Sequence, residues 1–219
     1  MGSILNVPII LASSSPRRIE LLKQIGLTVI RMIPTADESQ KKGEMPLQMV
    51  KRLAKEKAES VIPLVLREYS AAVILSADTV VVEPGGKRIF GKPKDVADAR
   101  KMLSKIAGKT HIVYTGYCIY ETGRDIEPRF FTRAVTSKVK MRRLSKITID
   151  RYIKSGEPMD KAGAYAAQGL GTALIERISG SYTNVVGLPI SDIVQDLEIE
   201  FKIPLFSWNE SHVESQKSP

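Results

Sequence analysis

The stretch AAVILSADTVVV, residues 71–82, is the most hydrophobic run in the chain, and a carboxylate stands in the middle of it. Its valines and isoleucines favour extended backbone, so the run predicts a strand inside a sheet. Asp78 must then meet a cation, a metal or hydrogen-bond donors, because a buried ionised carboxylate without a partner is expensive. The ordinary structural alternative is an aspartate that caps a turn. An acid placed like this is otherwise a pointer to a site.

The elements around this strand alternate in type. PIILA (8–12) predicts a buried strand. SSSP then starts a helix, with Ser15 as cap, Pro16 at the first helical position and Ile19, Leu21, Leu22 and Ile25 as its apolar face; Gly26 ends it. LTVIRMIP (27–34) predicts a strand and TADESQKKGEM (35–45) a polar loop. Residues 46–69 predict a long helix, bent or broken at Pro63. After the apolar strand come a turn at EPGGKR, a short strand in IFGKP and a helix over 94–108. HIVYTGYCIYE and RFFTRAVTSKVKM predict two long strands joined by a turn. A helix over 144–157, a glycine-rich loop MDKAGAYAAQGLG, a strand TALIERISG and a last helix over 185–201 follow. The sum is an α/β or mixed α+β sheet with flanking helices and sites near strand ends. Residues 1–207 read as one domain and 208–219 as a flexible tail.

Four further places invite chemistry. In LASSSPRR, Arg17 and Arg18 fall in the first helical turn, where the helix dipole disfavours cations. A helix start with hydroxyls at 13–15 and two forked guanidinium groups is suited to phosphate. The plain reading is a capped helix with two solvent-facing arginines. In the long helix, Lys57 falls on the apolar stripe Leu47, Val50, Leu53, Ala54, Ala58 and Val61. It needs an anionic partner, or a reach to water along its own stem. Lys92 projects from the bend GKP, and Asp160, Lys161 and Gln168 lie among Gly163, Gly169 and Gly171, where backbone can approach a ligand closely.

Composition removes several classes. One cysteine, Cys118, allows no intrachain disulfide or multi-cysteine metal site, and its alternating surroundings predict a small buried side chain. Two histidines, His111 and His212, argue against a histidine-based triad and a zinc site. No apolar run is long enough to span a bilayer, and no signal peptide or lipidation pattern is evident, so a cytoplasmic setting is expected. A net charge of +9 favours a polyanionic partner. No Lys/Arg block exceeds two residues and aromatics are 6%, so no stable nucleic-acid complex is expected. Acids together with cations suit phosphate chemistry with a hard divalent ion.

LASSSPRR, the acidic pair 37–38, LAKEKA (53–58), SADTVV (76–81), GKP (91–93), GEPMDKAGAYAAQG (156–169) and NVVGLPI (184–190) occur in the order seen in Maf proteins, the septum-formation-inhibitor homologues. The chain resembles that family from residue 9 to about 200. The resemblance implies a nucleoside triphosphate pyrophosphatase with a two-lobed, inosine-triphosphatase-like fold, a central cleft and a divalent metal such as Mg²⁺, Mn²⁺ or Co²⁺. It places phosphate handling on Ser13, Arg17 and Arg18, an acidic loop residue on Glu38 beside Asp37, two lysines on Lys57 and Lys92, and the general base on Asp78. Glu38 and Asp78 are the implied metal ligands. Arg17, Thr79 and Gln168 match the branch of the family that acts on dTTP and UTP. Ser76 and Ala166–Ala167 depart from residues common in relatives and bear on packing near the site. A homodimer is common among members. The other readings are a pyrophosphatase for 7-methylguanosine or inosine triphosphate, and a non-catalytic nucleotide or nucleic-acid binder that regulates division.

Overall fold

A computed structural model describes residues 7–86, 88–204 and 206; the tail predicted for 208–219, with His212, lies outside the described residues. Strand β1 (Ile9–Ala12) leads into helix α1 (Pro16–Gln24) and strand β2 (Ile30–Met32). Helix α2 (Pro46–Glu68) is followed by β3 (Ala71–Val82), β4 (Ile89–Phe90) and α3 (Val96–Ile106). β5 (Thr110–Gly123) and β6 (Arg129–Met141) precede α4 (Lys146–Lys154), β7 (Ile175–Ser179), α5 (Tyr182–Val186) and α6 (Ile190–Phe201).

The strands form one mixed sheet in the order β2-β1-β3-β5-β6-β7, with β4 also paired to β3. β1 runs parallel to β2 and β3, while β3–β5, β5–β6, β6–β7 and β3–β4 are antiparallel. β3 is the centre. Along one side β5 covers it from Ala71 to Val82. Along the other, β1 covers it only as far as Ser76, and β4 only from Val81. Residues 77–80 therefore have no strand neighbour on that side. This gap in the sheet, at the carboxyl end of β1, is where the site forms.

Alternation along β3 assigns the faces. Ala72 and Ile74 pack with Ile10, Ala12 and the buried stripe of α2; Val73, Leu75 and Ala77 pack on the other face under α1 and α6. Further along that second face, Val81, Phe90 and Val113 pack beneath α3 and α4. Cys118 is fully buried against α2, as its alternation predicts.

Several boundaries differ from the sequence reading. α2 continues through Pro63, whose ring is on the exposed face, where the unpaired carbonyl one turn back can reach water. Leu47 is 42% exposed, and Met49 opens the buried stripe instead. β2 and β7 are shorter than the apolar runs that announce them, and residues 169–174 ahead of β7 form a 3₁₀ turn. The helix predicted for 185–201 is two helices, because Gly187 takes φ +124° and Pro189 supplies no N–H. No helix among the described residues is long and apolar enough to cross a membrane.

Candidate active site

Nine residues singled out from the sequence line one cleft of about 250 Å³: Ser13, Arg17, Arg18, Glu38, Lys57, Asp78, Thr79, Lys92 and Gln168. Asp160 and Lys161, paired with each other, line it too. Its walls therefore carry five cations, Arg17, Arg18, Lys57, Lys92 and Lys161, against three acids, Glu38, Asp78 and Asp160.

The β3 alternation turns Asp78 and Thr79 to opposite faces of the sheet. Asp78 meets α2, where Lys57 Nζ lies 2.6 Å from its Oδ1. The same Nζ lies 2.6 Å from Glu38 Oε1. Lys57 is 5% exposed, so its ammonium is held by the two carboxylates rather than reaching out to bulk water. One ammonium shared by two carboxylates leaves a net negative charge at a single point. Burial raises the Glu38 pKa, but the hydrogen bond and charge of Lys57, with Arg18 and Lys92, lower it more, and the carboxyl settles below its ordinary range. Asp37, next door, turns away: its carboxylate accepts from the Ser39 N–H and hydroxyl, both at 2.9 Å. The fold thus selects Glu38 over Asp37 as the acid that faces the cleft.

Thr79 meets Arg18 on the other face. Arg18 donates Nε–H to the Gly187 carbonyl (2.8 Å), Nη1–H to Ser13 Oγ (3.2 Å) and Nη2–H to Thr79 Oγ1 (3.2 Å). Burial pulls its pKa below the ordinary guanidinium value, against the opposing charge of Asp78. Arg17 and Lys92 differ from it. Neither side chain makes a hydrogen bond or ion pair among the described residues, and both line the cleft. Ser15 sits at the N-cap of α1 without making a side-chain cap bond; Ser13 Oγ accepts the Ser15 N–H instead, at 3.1 Å. The start of α1 is thus left without a side-chain cap, and Arg17 and Lys92 line the same cleft without an ion pair among the described residues, an arrangement suited to an anion.

The glycines of residues 163–171 serve packing rather than ligand approach. A side chain at Gly171 would come within 2.3 Å of the Ala166 carbonyl, and one at Gly169 within 2.5 Å of Glu157. Ser76 gives its hydroxyl to the Ala54 carbonyl and ties β3 to α2, while Ala166 and Ala167 line the cleft. Sequence reasoning missed Thr115 and the carbonyls of Asn184 and Gly187, which hold Thr79 and Arg18 in place. Thr115 looks like any strand threonine, and backbone carbonyls have no sequence signature; only the motif NVVGLPI pointed near them.

The Maf-like protein family model matches residues 8–199. The chain belongs to the Maf-like family. Among relatives, this Maf-like chain is 46% identical over 184 residues to a dTTP/UTP pyrophosphatase of Dictyoglomus thermophilum, covering 83% of this chain and 90% of that one. It is 43% identical over 196 residues to a dTTP/UTP pyrophosphatase of Syntrophus aciditrophicus, covering 89% and 91%. Of solved structures, the Ham1 protein of Staphylococcus aureus aligns over 96% of this chain and all of that one, at 18% identity and a TM-score of 0.40.

Among the described residues there is no group of three or more His, Cys, Asp or Glu able to enclose a metal. Glu38 and Asp78 nevertheless lie on either side of Lys57 Nζ, each with a second carboxylate oxygen that makes no hydrogen bond among the described residues. Two carboxylate oxygens with ligand phosphates beside them are the donor set a Mg²⁺-type ion uses.

Proposed function

We propose that this Maf-like chain is a nucleoside triphosphate pyrophosphatase that cleaves dTTP and UTP between the α and β phosphates. The observation that carries the reading is the cleft itself: Arg17 at a helix N-terminus and Lys92 on the bend after β4, both without an ion pair among the described residues, line it together with two carboxylates that share one ammonium. The close relatives named for that activity support it. A pure phosphate binder has no use for Glu38 and Asp78, which repel a polyanion unless a cation stands between.

The residues divide the work as follows. Arg17, Lys92 and the first turn of α1 bind the phosphate oxygens. Glu38 and Asp78 would hold a divalent ion, Mg²⁺, Mn²⁺ or Co²⁺, which supplies charge neutralisation on the triphosphate. Lys57 fixes Asp78 through Oδ1. Oδ2 makes no hydrogen bond among the described residues and takes the proton of a water. That water's oxygen bonds to the α-phosphorus as the α–β bridging P–O bond breaks and pyrophosphate leaves. Thr79 and Gln168 stand where base and sugar are discriminated, Gln168 with an amide that both donates and accepts.

The test is pyrophosphate release from a panel of nucleoside triphosphates with each of the three ions, by the wild-type chain and by Asp78→Asn. dTTP and UTP should lead the panel, and Asp78→Asn should lose about 10²–10⁴-fold in turnover with its fold intact. Purine nucleotides ahead of dTTP and UTP would reject the substrate assignment. Near-normal turnover by Asp78→Asn would remove it from the base role.

A further inference from the structure

Behind the cleft, the hydrogen bonds that steady Arg18 run in one direction, and their source is a residue that does not face the cleft. Thr115 on β5 stands directly opposite Thr79 on β3 and is fully buried. Its Oγ1 donates to the Asn184 carbonyl at 2.9 Å. A hydroxyl has one hydrogen, so the 2.9 Å contact between Thr115 and Thr79 must use the hydrogen of Thr79. The other acceptor near Thr79, the Gly187 carbonyl, is at 3.4 Å and already takes Nε–H of Arg18. With its hydrogen committed to Thr115, Thr79 offers Arg18 only lone pairs, and accepts Nη2–H at 3.2 Å. The Asn184 backbone carbonyl, which can only accept, sets the sense of the whole chain.

We infer that Thr115 is a positioning residue: by taking the hydrogen of Thr79 it makes Thr79 an acceptor for Arg18, and so aims the remaining two N–H groups of Arg18 into the cleft. Thr115 does not line the cleft; its hydroxyl meets Thr79 on one side and the Asn184 carbonyl on the other, and Thr79 is its link to Arg18. Without its hydroxyl, the hydrogen of Thr79 falls back on the longer contact to the Gly187 carbonyl, which already takes Nε–H of Arg18, and the lone pair that meets Nη2–H is no longer held in direction, so one of the three anchors that fix the arginine's plane is weakened.

This inference rests on the cleft's being a nucleotide site, and its test is binding rather than cleavage, so that the two can fail separately. Calorimetry with the uncleavable α,β-imido analogue of dUTP compares wild type, Thr115→Val, Thr115→Ser, Thr79→Val and the double variant Thr79→Val/Thr115→Val. Thr115→Val should weaken binding about tenfold, the loss of about one hydrogen bond, and Thr115→Ser should bind as wild type. The double variant should bind no more weakly than Thr79→Val alone, because both changes remove one pathway. Wild-type affinity in Thr115→Val, additive losses near a hundredfold in the double variant, or no recovery in Thr115→Ser would each overturn the inference. So would a wild-type chain that does not bind the analogue. Should Thr115→Val fail to fold, Thr115→Ala takes its place in the same cycle. Loss of pyrophosphate release with this binding pattern intact would count against the proposed reaction and not against Thr115.

Discussion

Arg18 commits three of its five N–H donors to the chain, and Arg17 commits none. Their substitutions should therefore part company. Arg17→Ala should leave stability within about 0.5 kcal/mol, as surface changes do, and raise KM for the nucleotide. Arg18→Ala should cost roughly 2–4 kcal/mol as well, because Gly187, Ser13 and Thr79 lose a charged, buried partner together. Urea unfolding beside steady-state kinetics checks both; equal stability of the two variants would refute the division. The cause is direction along α1. Arg17 lies toward the open side of the cleft, while Arg18 is held under α5 by three acceptors and keeps only two N–H groups for the cleft. The pair RR announces affinity for phosphate in the sequence, and says nothing about which arginine the fold keeps for itself.

α2 lies on β5 with no side chain between them at one point. A Cβ at Gly116 would fall 2.3 Å from the Val50 carbonyl oxygen and 2.7 Å from the Lys51 nitrogen. Backbone cannot yield as a side-chain tip does, so Gly116→Ala must lift the helix from the sheet. We expect a loss of about 3 kcal/mol, at the upper end of overpacking, together with weakened turnover, because Lys57 sits two helical turns further along the displaced element. Wild-type stability in denaturant, or full activity, would contradict this. Gly116 pairs with Asp78 across the β3–β5 ladder, so the contact that seats the helix and the acid that meets its lysine share one rung. The helical period and the apolar stripe of α2 are visible in the sequence, and with them the odd position of Lys57. The glycine that lets the helix come so close reads in the sequence only as an interruption of a strand.

The pH response of the molecule as a whole should be set in part by His111. It is 1% exposed, its Nε2 pairs with the Tyr165 hydroxyl at 2.8 Å, and its Nδ1 has no hydrogen-bond partner among the described residues. Burial holds its pKa down at about 4. Above pH 6.5 the ring is neutral folded or unfolded and contributes nothing to the pH dependence. Below that the unfolded chain takes up a proton that the folded chain refuses until about pH 4, so stability falls across this window. The loss should be about 2 kcal/mol between pH 7.5 and pH 5. In His111→Phe that fall should shrink by the same amount, whatever the variant's absolute stability. An unchanged fall would assign the acid sensitivity to other groups.

Local chemistry carried a large part of this protein. The alternation of β3, the cap-and-proline start of α1 and the stripe of α2 are periodic patterns over a few residues, and they were legible because neighbours in sequence must share a backbone. They were enough to mark Asp78, Lys57 and the arginines as out of place. Two things required the folded chain: that Lys57 joins two acids, and that Arg18 is tied while Arg17 and Lys92 stay open. Each depends on partners far apart in sequence, 21 residues for Lys57 with Asp78 and 169 for Arg18 with Gly187. Such meetings are decided by how elements pack, and no local period records them.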